Sequence, residues 1–363
     1  MKRIYLSLLM TAAAIAAAVS CNKDDSSAAQ QPAADGMVNL KVAITAPVTK
    51  ATVAGTDAEN TVSNIQIFVF KLNGSDYVYE ASAKANDDEL NITVTSGTKT
   101  VLALVNEATD YTAQQDYEDI LAMVTSFKDN ARNDFRMVGT KEQLVDATHT
   151  TVAVPVNRVA ARIRVNSITN NLLNGFDDDD VKVVRAYLTH VADNTDYTCV
   201  LANTGWYAED GINTQLDHAG AAVSAAAEKS AVNDLVYQAL ATPANLASAT
   251  SYAPAGGAFV LYAYPHDGSV KKTHLTVEME IGGKDYTYVI ELPALLSNHS
   301  YEINDLVLRN LGNPSDGDDV IEDEEDNPIT PVAATFSVEV QPWELNVLEN
   351  HATSGGADGK WTI

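Results

Sequence analysis

The feature that most constrains the fold of this chain is a series of short apolar segments, rich in Val, Ile, Thr and Tyr, that end at tight-turn signals. Residues 65–70 read Ile-Gln-Ile-Phe-Val-Phe, and Asn73-Gly74, the strongest short signal for a β-hairpin, follows them. Residues 90–95 and 99–105 repeat the arrangement. Such segments are typical of strands. The sequence therefore predicts a mainly β fold.

The strand-like pattern pauses at Pro155 and then restarts, which divides the chain into two β-rich regions. We predict an N-terminal β domain over residues 37–155 and a C-terminal β domain over residues 156–312. Both domains are expected to be β-rich, and the first is expected to contain a helix. Residues 221–249 are Ala-rich and weakly periodic, and we assign no structure to them.

Individual elements can be predicted within each region. Tyr117, Ile120, Leu121 and Val124 follow the three-and-four spacing of an amphipathic helix. In the second region, a Gly282-Gly283 turn separates two strands. The strands predicted for the second region are residues 158–165, 181–189, 259–264, 274–281 and 285–292.

The N-terminus has the form of a secretory signal, which we assign to residues 1–20. Lys2 and Arg3 precede an apolar run over residues 4–19, and a polar segment follows that run. The run ends in Ala-Val-Ser before Cys21, a lipobox-like pattern, which predicts that Cys21 carries lipid such as palmitate on an outer-membrane precursor. The alternative is a general signal peptide whose cut lies near a cysteine.

Composition narrows the possible partners of the exported chain. Residues 21–36 hold few apolar groups and are expected to form a disordered tether. Cys199 is the only cysteine besides Cys21, so lipidation of Cys21 would exclude an intramolecular disulfide. The formal net charge of −26 disfavours a nucleic-acid partner.

The C-terminal part of the chain is unusual in composition. Residues 313–331 hold eight acidic residues and three prolines, so they cannot bury a core and are predicted to be an acidic linker. Beyond the linker, residues 332–363 begin with a strongly strand-like stretch over residues 335–347. The chain would therefore carry a strand at the end of a long, charged tether.

The two ends of the mature chain carry similar alternating strands. Apolar residues at alternate positions would place one face of each strand in a core. In the first strand these residues are Val38, Leu40, Val42 and Ile44; in the last they are Phe336, Val338 and Val340, continued in the opposite phase by Trp343, Leu345 and Val347.

Removal of the first strand would expose unpaired backbone that the last strand of another copy could fill. Strand addition of this kind joins copies head to tail and generates a filament. The alternative is that both segments are ordinary terminal strands of one monomer.

Six short motifs are spread over the whole chain: Cys-Asn-Lys-Asp-Asp at 21–25, Thr-Lys-Ala-Thr at 49–52, Phe-Arg-Met-Val-Gly at 135–139, Asn-Arg-Val-Ala-Ala-Arg at 157–162, His-Ser-Tyr-Glu-Ile at 299–303 and Val-Glu-Val-Gln-Pro-Trp at 338–343. In their order and spacing they resemble the Bacteroidetes fimbrillin family, the major subunits of FimA-like and Mfa-like surface fimbriae. The resemblance implies two β-sandwich-like (transthyretin-like) domains with a few short helices, export as a lipoprotein, proteolytic loss of the first strand, and insertion of the C-terminal strand into a neighbouring subunit.

The expected processing site departs from the family pattern. The best-known members are cut after Arg, but this chain has no Arg between Arg3 and Arg132. Lys50 stands in the equivalent place, so we predict a cut between Lys50 and Ala51 by a trypsin-like protease that accepts lysine. The alternative is that the subunit is not cut and serves as an anchor or tip.

We expect a structural subunit and not an enzyme, with no catalytic residues, no cofactor and no metal ion. The seven histidines lack metal-site spacing, and Cys199 is expected to be a buried, inert thiol. Trp206-Tyr207 could form a sugar-binding platform, although a core role is commoner. The expected partners are other copies of the chain, accessory fimbrial subunits and a processing protease. The alternative function is that of a monomeric surface lipoprotein that binds glycan or host protein.

Overall fold

The computed structural model describes residues 36–45, 53–54, 56, 58–172, 180–200, 205–207, 234–314 and 334–344. Strands dominate these residues, so the predicted mainly β fold is confirmed. The strands of the first half are β1 (Met37–Thr45), β2 (Val53–Ala54), β3 (Ile65–Asn73), β4 (Asp76–Ala85), β5 (Glu89–Thr95), β6 (Gly97–Val105), β7 (Val124–Ser126), β8 (Met137–Val145), β9 (Thr151–Pro155) and β10 (Asn157–Arg158).

The second half continues the strand-rich pattern. Its strands are β11 (Ala161–Val165), β12 (Ile168–Asn170), β13 (Val181–Thr189), β14 (Val191–Ala192), β15 (Asn194–Asp196), β16 (Trp206–Tyr207), β17 (Tyr237–Asn245), β18 (Ser251–Tyr252), β19 (Phe259–Ala263), β20 (His274–Ile281), β21 (Lys284–Glu291), β22 (His299–Ile303), β23 (Leu306–Leu308), β24 (Asn313–Pro314), β25 (Ala334–Thr335) and β26 (Val338–Glu344). The helices with described bounds are α1 (Tyr117–Leu121) and the 3₁₀ helices Ala58–Asn60 and Phe127–Asp129, and residues 234–236 are also helical.

The first strand lies in the middle of a small sheet. Strand β1 pairs with β5 in antiparallel and with β9 in parallel orientation. A larger sheet of order β10-β8-β6-β3-β4 covers its apolar face. The side chains between these two sheets form the smaller of two hydrophobic cores.

The larger sheet separates the two cores. Along β3, Ile65, Ile67 and Val69 belong to the smaller core, whereas Phe68 and Phe70 on the opposite face belong to the larger core. Both faces of β3 are therefore buried over residues 65–70, which explains the unbroken apolar run from Ile67 to Phe70. The larger core also takes side chains from β11, β13, β19, β20 and β22, so it joins residues on both sides of Pro155. The domain boundary at residues 155 and 156 stays a prediction.

Two further sheets build most of the C-terminal half. One has the order β19-β11-β22-β26-β2, and the other has the order β17-β13-β20-β21-β24. Gly282 and Gly283 both have positive φ and form the two-residue turn between β20 and β21. A smaller sheet, β18-β12-β23-β25, and the pairs β14-β16 and β7-β15 complete the described strands.

The structure corrects two predicted elements. The predicted helix ends at Leu121, and Val124 instead begins β7, because residues 124–126 pair with β15. The predicted strand over residues 158–165 is interrupted at Val159 and Ala160, where the chain leaves the sheet containing β8 and enters the sheet containing β19.

The predicted linker also begins later than the sequence indicates. Asn313 and Pro314 form β24, which pairs with β21, and the Thr287 hydroxyl donates to the Asn313 carbonyl at 3.2 Å. Within the predicted C-terminal strand, Phe336 and Ser337 separate β25 from β26. Residues 345–347 lie outside the described residues.

Candidate functional site

Strand β1 has the alternating burial that its sequence predicts. Val38, Leu40, Val42 and Ile44 lie in the smaller core, and the side chains between them are half-buried or exposed. Leu40 and Val42 have no exposed surface. Fully burying one such side chain contributes roughly 1.5–3 kcal/mol. The strand is therefore an integral part of the folded subunit.

Both edges of β1 are paired along the backbone. Seven residue pairs, from Met37 with Thr95 to Ala43 with Glu89, join it to β5, and five pairs join it to β9. Loss of β1 would therefore leave two facing strand edges unpaired and the apolar sockets of its four side chains empty. Such a groove can accept another strand by backbone pairing.

Several predicted site residues lie outside the described residues. These are the lipidation site Cys21, the processing residues Lys50 and Ala51, and Leu345 and Val347. The processing site falls between the end of β1 at Thr45 and the start of β2 at Val53. Their roles stay predictions.

The C-terminal strand β26 is paired within its own subunit. It lies antiparallel to β22, in a register that places Val338 opposite Ile303 and Pro342 opposite His299. Phe336 and Val340 are 44% and 43% exposed, whereas Val338 is half-buried. The first residues proposed for a donor strand thus present large apolar groups at the surface of the subunit.

In contrast to Phe336 and Val340, Trp343 near the end of β26 is fully buried. Its ring centre lies 4.2 Å from the Arg158 guanidinium carbon and 5.0 Å from that of Arg162. Tyr262 stacks on the ring at a centroid distance of 5.7 Å, and Phe135 meets it edge-on at 5.4 Å. Two cation–π contacts and two aromatic contacts therefore hold this end of β26 in place.

A buried carboxylate completes this cluster. Glu59 is 2% exposed, and its carboxylate accepts hydrogen bonds from Arg162 Nη1 at 3.1 Å and from the Tyr262 hydroxyl at 2.6 Å. Arg158 donates through Nε and Nη2 to the Glu59 carbonyl at 3.1 and 3.0 Å. The local fold positions Glu59, because its carboxylate and the Thr56 hydroxyl accept from each other's backbone N–H groups, as in a capping box.

The electrostatics of the cluster follow from burial. Burial lowers the pKa of Arg158 to about 9, although the charge of Glu59 opposes that effect. Burial, followed by the charge of Glu59, raises the pKa of Tyr262, so its hydroxyl stays a donor at neutral pH. We name the set Glu59, Arg158, Arg162, Tyr262 and Trp343 the tryptophan cluster.

The sequence alone does not bring the tryptophan cluster together. Arg158 and Arg162 belong to one sequence motif and Trp343 to the possible donor strand, but no sequence pattern links them to Glu59 or Tyr262. A signal was present, because two arginines four positions apart interrupt an otherwise apolar stretch. A charged side chain in a buried strand needs a partner, but the sequence does not say which one.

The two other candidate sites, the Trp206-Tyr207 pair and Cys199, are poorly suited to binding a sugar or to nucleophilic catalysis. Trp206 and Tyr207 are 6% and 3% exposed, so neither presents an open aromatic face for a sugar. Cys199, which is half-buried, lines a cavity of about 530 Å³, and burial raises the pKa of its thiol to about 11. A thiol with that pKa is protonated at neutral pH and is a poor nucleophile.

Among the residues that the structure describes, no three His, Cys, Asp or Glu side chains are grouped closely enough to hold a metal ion. None of the helices described has the length and apolar character needed to cross a membrane.

Comparison with solved structures identifies the fold. A candidate cell adhesion protein from Bacteroides eggerthii is similar over 86% of this chain and 98% of its own length, with a TM-score of 0.59 and 16% identity. A fimbrilin from Porphyromonas gingivalis is similar over 85% of this chain and 98% of its own length, with a TM-score of 0.51 and 13% identity. This chain has a fimbrilin-like fold.

A third structure agrees with this conclusion. A candidate cell adhesion protein from Parabacteroides distasonis covers 86% of this chain with a TM-score of 0.53 and 13% identity. No protein-family model and no curated protein matches the sequence. At these sequence identities, the comparisons establish the fimbrilin-like fold.

Proposed function

We propose that this chain is a structural subunit of a cell-surface fimbria that polymerises by protease-triggered exchange of β-strands and supports adhesion. The precursor would be exported, lipidated at Cys21 and held at the outer membrane. A protease would then cut between Lys50 and Ala51 and free β1 from the rest of the chain. The groove left by β1 would accept a C-terminal strand from another copy.

The observation that carries this proposal is the position of β1. It is the first described strand, yet it lies in the middle of its sheet, paired on both edges and with four apolar side chains in the core. A strand so placed can be separated from the rest of the chain by a single cut after its C-terminal end, and its loss would leave an elongated apolar groove. The fimbrilin-like fold supports the same function, because one similar structure is a fimbrilin.

The proposed donor is the C-terminal segment, with Phe336, Val338, Val340, Trp343, Leu345 and Val347 as its apolar residues. Phe336 and Val340 support this role, because their exposed side chains would be covered on entering a neighbour's groove. Other copies of the chain and accessory fimbrial subunits are the expected partners.

Two other functions remain as alternatives to a shaft subunit. An anchor or tip subunit would keep its lipidated N-terminus and would not expose the groove. A monomeric surface lipoprotein that binds glycan or host protein would need neither the cut nor the C-terminal strand. Both alternatives predict that Lys50 has no influence on filament formation.

A substitution at the processing site tests the proposal. Lys50→Ala should abolish the cut and leave monomeric, lipidated precursor, whereas shaft subunits in filaments of the unmodified chain should begin at Ala51. Lys41→Ala is the matched control, because Lys41 lies within β1 and its side chain forms a partly exposed salt bridge with Glu89 at 2.7 Å. N-terminal mass spectrometry and filament yield are measured together. Normal filaments of uncut Lys50→Ala chains would overturn the proposal.

A further inference from the structure

The segment immediately after the predicted cut lies against the C-terminal strand. Strand β2 runs parallel to the end of β26, with Val53 opposite Trp343 and Ala54 opposite Glu344. The 3₁₀ helix Ala58–Asn60 follows and supplies Glu59 to the tryptophan cluster. We name β2 and this 3₁₀ helix the strap.

The strap holds Trp343 indirectly, through the two arginines. Glu59 binds Arg158 with its carbonyl and Arg162 with its carboxylate, and both guanidinium groups pack against the Trp343 ring. All four side chains are 2% exposed or less. Loss of Glu59 would leave buried guanidinium groups with less compensating charge, which is strongly unfavourable. The position of the Trp343 ring between the two arginines therefore depends on the strap remaining in place.

The strap is fastened at both ends in the uncut chain. Upstream it is joined to β1, which is fixed in the smaller core, and downstream it leads into β3. The predicted cut after Lys50 would remove the upstream attachment, and β2 would then begin at the third residue of the new chain. Terminal segments open more easily than segments that are held on both sides. The two-residue pairing with β26 would be the first contact to open.

We propose that the strap is a latch that keeps the C-terminal strand on its own subunit until processing frees the strap's upstream end. This inference rests on the proposed function, because it explains how one cut prepares both the groove and the donor. Before the cut, β26 is held by β22, by β2 and by the tryptophan cluster. After the cut, the strap loosens, Trp343 loses part of its support, and β26 leaves β22 more often.

Hydrogen exchange on the full chain tests the latch. A lysine-specific protease cuts the purified precursor, mass spectrometry verifies the Lys50–Ala51 cut, and the β1 fragment stays bound in its groove. Amide exchange of residues 338–343 should become about tenfold faster after the cut, the effect of losing roughly one hydrogen-bonded contact. Exchange in β20, which belongs to a different sheet from β2 and β26, should stay unchanged and provides the internal control.

Substitutions separate the latch from a general loss of stability. In uncut chains, Glu59→Gln should already show the fast exchange of residues 338–343, with β20 still protected. Glu339→Gln is the matched control, because Glu339 is an exposed carboxylate on β26 itself. Should Glu59→Gln fail to fold, Tyr262→Phe removes the single 2.6 Å hydrogen bond to Glu59 and should give a smaller increase.

The outcomes distinguish the latch from the proposed function. Unchanged exchange of residues 338–343 after a verified cut overturns the latch, and filaments formed by the same cut chain would leave the proposed function intact. Faster exchange with no filaments under any condition supports the latch and counts against polymerisation. Equal exchange in Glu59→Gln and unmodified uncut chains also overturns the latch.

Discussion

The guanidinium carbon of Arg158 lies 4.2 Å from the centre of the Trp343 ring, so a residue of β10 helps to hold the last described strand of the chain in place. Arg158 is fully buried and also binds the Glu59 carbonyl. Cation–π contacts of this kind contribute about 2 kcal/mol or more when they are desolvated. The C-terminal strand is consequently not a loose appendage of the folded chain, and its proposed transfer to another copy would require this contact to open.

Trp343→Ala should reduce the free energy of unfolding of the precursor by about 3–5 kcal/mol, since it leaves a large cavity between two arginines and two aromatic rings. Urea unfolding measures the change. Phe336→Ala is the control on the same segment, and because Phe336 is exposed it should stay within roughly 0.5 kcal/mol of the unmodified chain. A Trp343→Ala loss no larger than that of Phe336→Ala would contradict the role of the tryptophan cluster.

Val340→Asp should separate folding from assembly. Val340 is 43% exposed in the subunit, so the charge remains hydrated there and the thermal midpoint should change little. In a neighbour's groove the same side chain would replace a fully buried residue of β1, where an unpaired charge costs several kcal/mol. Filament yield at equal expression should therefore fall sharply. Glu339→Lys, on the opposite face of β26, should be far milder; equal yields from the two variants would show that the face assignment is wrong.

Leu40→Ala should weaken the precursor but leave the filament unaffected. Leu40 is fully buried in β1, and its truncation should reduce the free energy of unfolding by about 2–5 kcal/mol. In the proposed filament, however, processing has removed β1 from the subunit. Thermal melting of the precursor and heat resistance of isolated filaments are compared. Filaments that lose stability together with the precursor would mean that β1 is retained.

Local patterns in the sequence predict the strands well. Residues 181–189 and 274–281 are strands with the predicted bounds, because burial of alternate or continuous apolar residues is a property of each segment alone. The alternating burial of Val38 to Ile44 is readable for the same reason. The break at Val159 cannot be predicted from the sequence, because it depends on which of two sheets each end of the segment joins.

The pairing of distant segments could not be predicted. The parallel partner of β1 is β9, and the partner of Trp343 is a strap from the other end of the chain. Neither relationship leaves a pattern in the sequence near those residues. Charged groups such as Arg162 indicate that a buried partner exists, but only the fold identifies it as Glu59.

Cross-linking between copies tests strand exchange most directly. If Phe336, Val338 and Val340 replace Val38, Leu40 and Val42 in the same direction, Glu339 takes the place of Lys41, whose partner on β5 is Asn91. Within one subunit, β5 and β26 belong to different sheets.

A chain carrying Asn91→Cys, Glu339→Cys and Cys199→Ser is assembled into surface filaments, oxidised and separated without reducing agent. A chain with Glu89→Cys in place of Asn91→Cys tests a register shifted by two residues, and Asn91→Cys alone is the control. One of the two variants with a pair of introduced cysteines should give a ladder of disulfide-linked oligomers, and the control should give none. Intact filaments that give no ladder with either pair would contradict exchange of the C-terminal strand.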